Sequence, residues 1–198
     1  MENINTNQAP EIQGYLVSEI RICVAENTDT YIDRFKNLPR HKFNWCAAFL
    51  GTTWGGYRLM IKYSFLFWMI QMLIGTVVLT FVMFFCLWLT PDVMTNRWLM
   101  AAVPWVMITS VVLEIVSFII RGMYADQLYW RFIRKKIDEV KNQTNSQESY
   151  VIEDDLTKHT GVYLGGAILM SIGISILDNL YRSCILSPLV IFIAKILF

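Results

Sequence analysis

The chain has 198 residues, of which 55% are hydrophobic and 17% are charged, and its formal net charge is +1. Ordinary soluble domains carry about 25% charged residues, so this composition argues against a soluble fold. A balance this close to neutral gives no overall basic surface, and we expect no nucleic-acid partner. The apolar residues are gathered into blocks long enough to cross a bilayer, which predicts an all-α membrane protein with one membrane domain.

Residues 1–42 are predicted to form a cytoplasmic N-terminal region. The chain begins with polar residues and lacks the basic segment followed by an apolar run that marks a cleaved signal peptide. Insertion is therefore expected to depend on the first span, with the N-terminus left in the cytoplasm.

Residues 43–61 are apolar and aromatic, with basic residues on both sides. The stretch between Lys42 and Arg58 is too short to cross a bilayer, and a crossing would place one basic cluster outside. This pattern predicts an amphipathic helix that lies in the cytoplasmic interface of the membrane.

Residues 62–198 are predicted to form the membrane domain, which begins with two long spans. Residues 64–90 carry no charge and would make about 40 Å of helix at about 1.5 Å per residue. Residues 98–120 form a second block with one ionisable side chain, Glu114. The connection between these blocks is short, which predicts an antiparallel helical hairpin.

Beyond the second span, the apolar residues continue at three- and four-residue spacing and predict a helical stalk within a cytoplasmic segment, residues 121–160. A third, shorter span is expected over residues 161–177, where Asp178 and Asn179 end the apolar block. Residues 184–198 are predicted as a short fourth helix. Because this stretch is short and contains Pro188, a re-entrant or surface-lying tail is the alternative.

Basic residues near the spans predict the orientation of the chain. The connection between the first two spans holds a single basic residue, Arg97, whereas the two regions expected in the cytoplasm hold many. These residues are Arg34, Lys36, Arg40, Lys42, Arg58 and Lys62 before the first span, and Arg121, Arg131, Arg134, Lys135, Lys136, Lys141 and Lys158 before the third. The predicted location is the bacterial cytoplasmic (inner) membrane.

Part of the aromatic segment resembles the signature of a known family. The string Phe43-Asn44-Trp45 is followed by Ala47, Phe49, Gly51, Trp54, Tyr57-Arg58 and Met60. This pattern is similar to the FNW-x-AFF-x-G-x-x-W-x-x-YRKMY segment of a bacterial family of small membrane proteins, the DUF2628-type family, whose function is unknown. Leu59 stands where the family has Lys, so the chain resembles a divergent member. The resemblance implies a membrane architecture and brings no activity, cofactor or catalytic residue.

Motifs of catalysis are absent from the sequence. It holds no H-E-x-x-H, no G-x-S-x-G and no phosphate-binding glycine loop, and its two histidines are far apart. The four cysteines form no C-x-x-C pair, so neither a disulfide framework nor a zinc site is expected. We therefore expect neither an enzyme nor a cofactor.

Three groups of residues are candidate sites. Glu114 is a carboxylate inside a span, and such groups are costly enough to suggest a proton- or ion-linked role, with a structural contact between helices as the alternative. Small residues at four-residue spacing let helices approach closely in lipid. The candidate packing face consists of Ala47, Gly51, Gly55, Gly161 and Gly165. Candidate contacts for anionic lipid headgroups are Arg131, Arg134, Lys135 and Lys136, which could equally serve only to set the orientation.

The sequence favours a non-enzymatic membrane scaffold or regulatory partner that presents the N-terminal region and the stalk to other proteins. The alternative is a small oligomeric transporter or channel that uses Glu114. The expected partners are the lipid bilayer and either a second copy of this chain or another membrane protein.

Overall fold

The computed structural model of the chain describes residues 10–38, 42–89, 97–143, 149–188 and 191. Apart from a two-stranded antiparallel hairpin, every element in these residues is helical, which confirms the all-α prediction. The elements are β1 (Glu11–Ile12), β2 (Tyr15–Leu16), α1 (Val17–Val24), α2 (Thr28–Lys36), α3 (Trp45–Leu50), α4 (Thr52–Tyr57), α5 (Ile61–Leu89), α6 (Arg97–Gln143), α7 (Ser149–His159), α8 (Leu164–Tyr181) and a π-helical turn (Arg182–Leu186).

Three helices, α5, α6 and α8, are long and apolar enough to cross a membrane. The most apolar windows of these helices have mean hydropathies of 2.2, 1.9 and 1.8. Large apolar side chains point outward from all three, among them Leu73, Phe81 and Leu169. Such a surface is unfavourable in water but is the expected one in lipid, where the helix satisfies its own backbone hydrogen bonds.

The third span continues beyond the end predicted for it. Asp178 and Asn179 do not stop α8, because both side chains form hydrogen bonds within the helix: Asp178 accepts from Nε of Arg182 at 2.9 Å, and Asn179 donates to the carbonyl oxygen of Ser175 at 2.9 Å. The helical path runs on through the π-helical turn. The predicted fourth helix therefore starts inside this continuation, and residues 189–190 and 192–198 lie outside the described residues.

The predicted stalk is confirmed, because α6 runs without a break from Arg97 to Gln143. Its residues after the apolar span bury one face: Ala125, Tyr129, Phe132, Ile133, Ile137 and Val140 are all at most 8% exposed. These positions recur at three- and four-residue spacing, as the sequence pattern indicated.

The buried face of the stalk is the centre of a hydrophobic core, which Ala47, Trp54 and Met60 of the aromatic segment also join. Elements β1, β2, α1, α2 and α7 pack around residues 125–143 of α6, and Ile20, Phe35 and Leu156 are fully buried there. We call this assembly the extramembrane domain. Glu19 of α1, itself buried, forms a 2.8 Å ion pair with Lys141 at the far end of the stalk.

The aromatic segment, predicted as one interfacial helix, consists of two short helices. Gly51 separates α3 from α4 with φ of 52°, in the left-handed region that favours glycine. Helix α3 buries Ala47 and Ala48 and exposes Trp45 and Phe49, so it is amphipathic. This arrangement is typical of helices that lie in a membrane interface.

Candidate functional site

The carboxylate of Glu114 is held between two spanning helices. Glu114 precedes Arg121 by seven residues, or about two turns of α6, so both side chains lie on one face. Nη2 of Arg121 donates to Oε1 of Glu114 at 2.9 Å, and Nε2 of Gln71 on α5 donates to Oε2 at 3.1 Å. The structure therefore places this candidate residue in a contact that joins α5 to α6.

The two members of this ion pair differ in their exposure. The side chain of Glu114 is 61% exposed on the surface of the chain, whereas that of Arg121 is only 17% exposed. An enclosed guanidinium without its carboxylate would be an uncompensated charge in apolar surroundings, which is strongly unfavourable. Glu114 therefore neutralises Arg121, and the exposed part of the Glu114 carboxylate stays accessible from the surface of the chain.

A second carboxylate lies within the helical run of α8. Because the helix continues past Tyr181, Asp178 is an interior helical residue and not the end of the span. Its partner is Arg182, one turn further on, and the two side chains are 26% and 67% exposed. The two side chains therefore form an ion pair on the helix surface.

A polar cavity of about 280 Å³ lies between α4, α5, α6 and α8. Arg121 forms one wall, and Asp178 lies on the wall that α8 contributes. The other lining residues are Thr52, Thr53, Trp68, Gln71, Met72, Ser171, Ile174 and Ser175. Hydroxyl, amide and charged groups that are scattered in the sequence are thus brought to one place in the helical bundle.

Two of the lining residues hold buried hydrogen-bond donors that have no partner among the described residues. These donors are Nε1 of Trp68 and Nε of Arg121. A buried donor without an acceptor costs about 1–3 kcal/mol, so acceptors that enter the cavity would be favoured there. The cavity could accommodate a small polar solute or a chain of waters.

The closest backbone approach between α4 and α8 is made by a pair of glycines. A Cβ atom added to Gly166 would lie 2.6 Å from the carbonyl oxygen of Gly56, and one added to Gly56 would lie 2.7 Å from the carbonyl oxygen of Gly166. Neither position can therefore carry a side chain without moving a backbone. These glycines each follow a residue of the predicted packing face, Gly55 or Gly165.

The predicted packing face makes several separate contacts. A Cβ on Gly55 would lie 1.8 Å from Oγ of Ser64 on α5, and one on Gly51 would lie 3.0 Å from Nη1 of Arg121. Ala47 is buried, also on the side of the membrane helices. Gly165 lies against the ring of Tyr163, two residues before it, and Gly161 has φ of 109° in the turn that precedes α8.

The four basic residues of the stalk have different surroundings. Lys135 and Lys136 both pair with Glu139, and the Arg134 guanidinium stacks over the ring of Trp130. Arg131 is exposed and has no ion pair or hydrogen bond within the described part of the chain. Among the four candidates for headgroup contacts, Arg131 is therefore the exposed one that pairs with no carboxylate and stacks on no ring within the described residues.

A buried polar network that the sequence reasoning missed joins three elements. Asp126 of α6 pairs with Nη1 of Arg34 on α2 at 2.6 Å and accepts from Nδ2 of Asn44 at 2.7 Å. Asn44 in turn caps α3, because its Oδ1 accepts from the backbone N–H of Ala47. The spacing of charges along the chain gave no signal for this network, since its members lie far apart in sequence.

Arg58 is also buried, although the sequence counted it among the residues that set the orientation. Its Nη1 donates to the carbonyl oxygen of Val24 at 2.8 Å, and its guanidinium lies 4.6 Å from the ring centroid of Tyr31. The neighbouring Tyr57 donates to Oε2 of Glu26 at 2.6 Å. The Asn44 and Tyr57-Arg58 positions of the family-like signature therefore attach the aromatic segment to the extramembrane domain.

Comparisons with family models, with characterised proteins and with solved structures find no match. The resemblance to the DUF2628-type family therefore stays a prediction. Among the described residues, no three side chains of His, Cys, Asp or Glu come together as metal ligands would.

Proposed function

We propose that this chain is a non-enzymatic integral membrane protein that acts as a scaffold or regulatory partner. The observation that supports this proposal is the unbroken helix α6. One helix carries the ion pair of Glu114 and Arg121 within the bundle and, further along, Tyr129 and Ile133 in the core of the extramembrane domain. A rigid element of this kind holds a folded domain in a defined position at the membrane surface, where it can present a binding surface.

We further propose that the extramembrane domain faces the cytoplasm of a bacterial cell from the inner membrane. The basic residues that flank the spans support this orientation, because cytoplasmic loops carry an excess of Lys and Arg. The partner would then be a cytoplasmic protein or another protein of the same membrane.

Site-directed photocrosslinking in cells tests the scaffold proposal. A photoreactive residue replaces Asp29, which is exposed in the extramembrane domain, or Phe81, which is 75% exposed on α5. We expect a discrete crosslink to one other protein from position 29, and the same crosslink when Glu114→Gln is added. A crosslink to a second copy of this chain alone, from both positions, would contradict the proposal.

The polar cavity supports a second candidate function, a small oligomeric transporter or channel that uses Glu114. The cavity collects polar groups from four helices, and two of its lining residues, Arg121 and Gln71, donate hydrogen bonds to the Glu114 carboxylate, which is itself exposed beside the cavity. The described part of one chain offers three helices of sufficient length and apolar character, and several copies of these would be needed to enclose a pathway.

Liposome flux measurements separate the two candidates. A regulatory partner predicts that proteoliposomes acidify no faster than empty liposomes under a pH gradient, with or without Glu114→Gln. A transporter predicts proton-coupled flux that Glu114→Gln abolishes per folded molecule, so that the loss of flux exceeds any loss of folded yield that follows from the unpaired Arg121 charge. Gln retains an acceptor for Arg121 and so tests the charge of Glu114 with little change in shape.

A further inference from the structure

A second cavity, of about 360 Å³, lies where the aromatic segment packs on the membrane helices. We call it the interfacial cavity. Its walls come from α3, α4, α5 and α6, and most of the lining is apolar. The apolar and aromatic lining includes Ala47, Trp54, Met60, Phe67, Ile120 and Leu128.

The two ends of the interfacial cavity differ in charge. Arg121 and Arg131 both line it, and they are ten residues apart on α6, or about 15 Å along the helix axis. Arg121 is already neutralised by Glu114, whereas Arg131 is exposed and unpaired within the described residues. The unbalanced positive charge therefore lies at the end that faces the extramembrane domain.

We propose that the interfacial cavity binds one anionic phospholipid. One acyl chain lies among the apolar residues and runs toward Phe67 and Ile120, and the headgroup phosphate lies beside Arg131. This arrangement pairs the apolar lining with an apolar chain and the free guanidinium with a negative charge. A guanidinium binds phosphate through two hydrogen bonds, which is a further reason for an anionic headgroup at this residue.

The neighbourhood of the cavity is consistent with a lipid occupant. Tyr63 and Tyr124 line it, and tyrosine is enriched where membrane helices pass through the headgroup region. Trp45 and Phe49 are exposed on α3, the helix that also lines the cavity through Ala47. Exposed aromatic side chains of this kind suit the headgroup region of a bilayer.

Native mass spectrometry of the purified full chain provides the first test. The probes are phosphatidylglycerol and phosphatidylcholine with identical acyl chains, and the variants are Arg131→Gln and the control Lys135→Gln. Lys135 is exposed and already paired with Glu139. We expect the wild type to retain one phosphatidylglycerol in preference to phosphatidylcholine. Arg131→Gln should lower that retention about fivefold, and Lys135→Gln should leave it unchanged.

The proposal is overturned if Arg131→Gln retains phosphatidylglycerol as well as the wild type does, if both variants lose it equally, or if phosphatidylcholine is retained equally. Glycerol phosphate, which has the headgroup but no acyl chain, is expected to leave the bound lipid in place. Displacement of the lipid by glycerol phosphate would show a site for free phosphate and would also overturn the proposal.

A phosphatidylglycerol with a photoreactive group in its acyl chain locates the site. Irradiation is expected to label the peptides that contain Phe67 or Leu128, and Arg131→Gln should reduce that labelling about fivefold. Labelling confined to outward positions of the spans, such as Leu73 and Phe81, would show contact with bulk lipid alone and would contradict the proposed site.

Discussion

Cys23 of the extramembrane domain and Arg58 of the aromatic segment are both buried, and burial affects each side chain differently. The Arg58 guanidinium donates to the carbonyl oxygen of Val24 and lies over the ring of Tyr31, and these contacts replace part of its contact with water. Burial raises the pKa of the Cys23 thiol to about 11, because the thiolate is poorly solvated there. At the scale of the residue, the fold supplies contacts for the Arg58 guanidinium, whereas it disfavours the Cys23 thiolate.

The raised pKa of Cys23 predicts that this thiol does not react in the folded protein. At pH 8 about one thiol in a thousand would be ionised, and the thiolate is the reactive form. We expect N-ethylmaleimide to modify the native protein to the same extent with or without Cys23→Ser, as measured by intact mass. After unfolding in SDS, the wild type should carry one more modified cysteine than Cys23→Ser does.

Cys46, which is exposed on α3, provides the matched control for this labelling experiment. Cys46→Ser should lower the modification of the native protein. Rapid modification of Cys23 in the folded state would contradict the burial that raises its pKa.

At the scale of the element, two glycines permit a close contact between the backbones of α4 and α8. Gly56 and Gly166 bring two backbones within reach, and the backbone N–H of Tyr163 donates to the carbonyl oxygen of Tyr57 at 2.9 Å beside them. Dispersion and backbone contacts of this kind drive helix association in lipid, where the hydrophobic effect between helices is weak. The short helix α4 is thereby attached to the third span.

This contact predicts opposite effects for two glycine substitutions on α8. Gly166→Ala should lower the free energy of unfolding by about 1–3 kcal/mol, because its Cβ would overlap the Gly56 carbonyl oxygen. Gly173 has open space around it, so Gly173→Ala should leave stability unchanged or raise it by up to about 1 kcal/mol through helix propensity. Thermal unfolding in detergent, followed by size-exclusion chromatography, measures both effects.

Gly165→Ala tests whether Gly166 or the neighbouring Gly165 is the residue at which the close helix contact is made. Its Cβ would meet the end of the Tyr163 side chain, which can move, so a smaller loss than for Gly166→Ala is expected. A larger loss at Gly165 would favour the packing face predicted from four-residue spacing.

The whole molecule consists of a helical bundle and an extramembrane domain that share α6. This helix contributes the stalk to the core of the domain and a span to the bundle, while α4 and α8 meet at the junction between them. The polar network of Asp126, Arg34 and Asn44 lies at the same junction. The domain is therefore fixed to the bundle through several elements and not through a flexible linker.

The orientation of the whole molecule can be tested with a membrane-impermeant maleimide, in variants that lack the natural cysteines. Asp29 is 84% exposed in the extramembrane domain, so Asp29→Cys should be labelled only after the cells are permeabilised. Thr95, which stands between α5 and α6 in the sequence, provides the control, and Thr95→Cys should be labelled in intact cells if the orientation is as proposed. The reverse pattern would place the extramembrane domain outside the cytoplasm.

The helical class, the two long spans and the stalk could be predicted from the sequence because each depends on local patterns. An uncharged run predicts a span whatever its neighbours are, and the spacing from Ala125 to Val140 already marks a buried face. The break at Gly51 and the continuation of α8 past Asp178 were not predicted. The break depends on the φ angle of Gly51. The continuation of α8 depends on the hydrogen bond from Arg182 to Asp178, which satisfies the Asp178 side chain within the helix.

The candidate site was predicted in part. Glu114 could be singled out from the sequence because a carboxylate in an apolar span is costly wherever it lies. Its contact with Gln71, and the cavity that Gln71 lines together with Asp178 and Ser171, depend on how three spans pack, which no local pattern encodes. The sequence by itself determined that apolar helices form, because the cost of exposing their surface to water is a local property. Only the tertiary structure decided which polar groups meet, because hydrogen bonds and ion pairs act over a few ångströms between residues far apart in the chain.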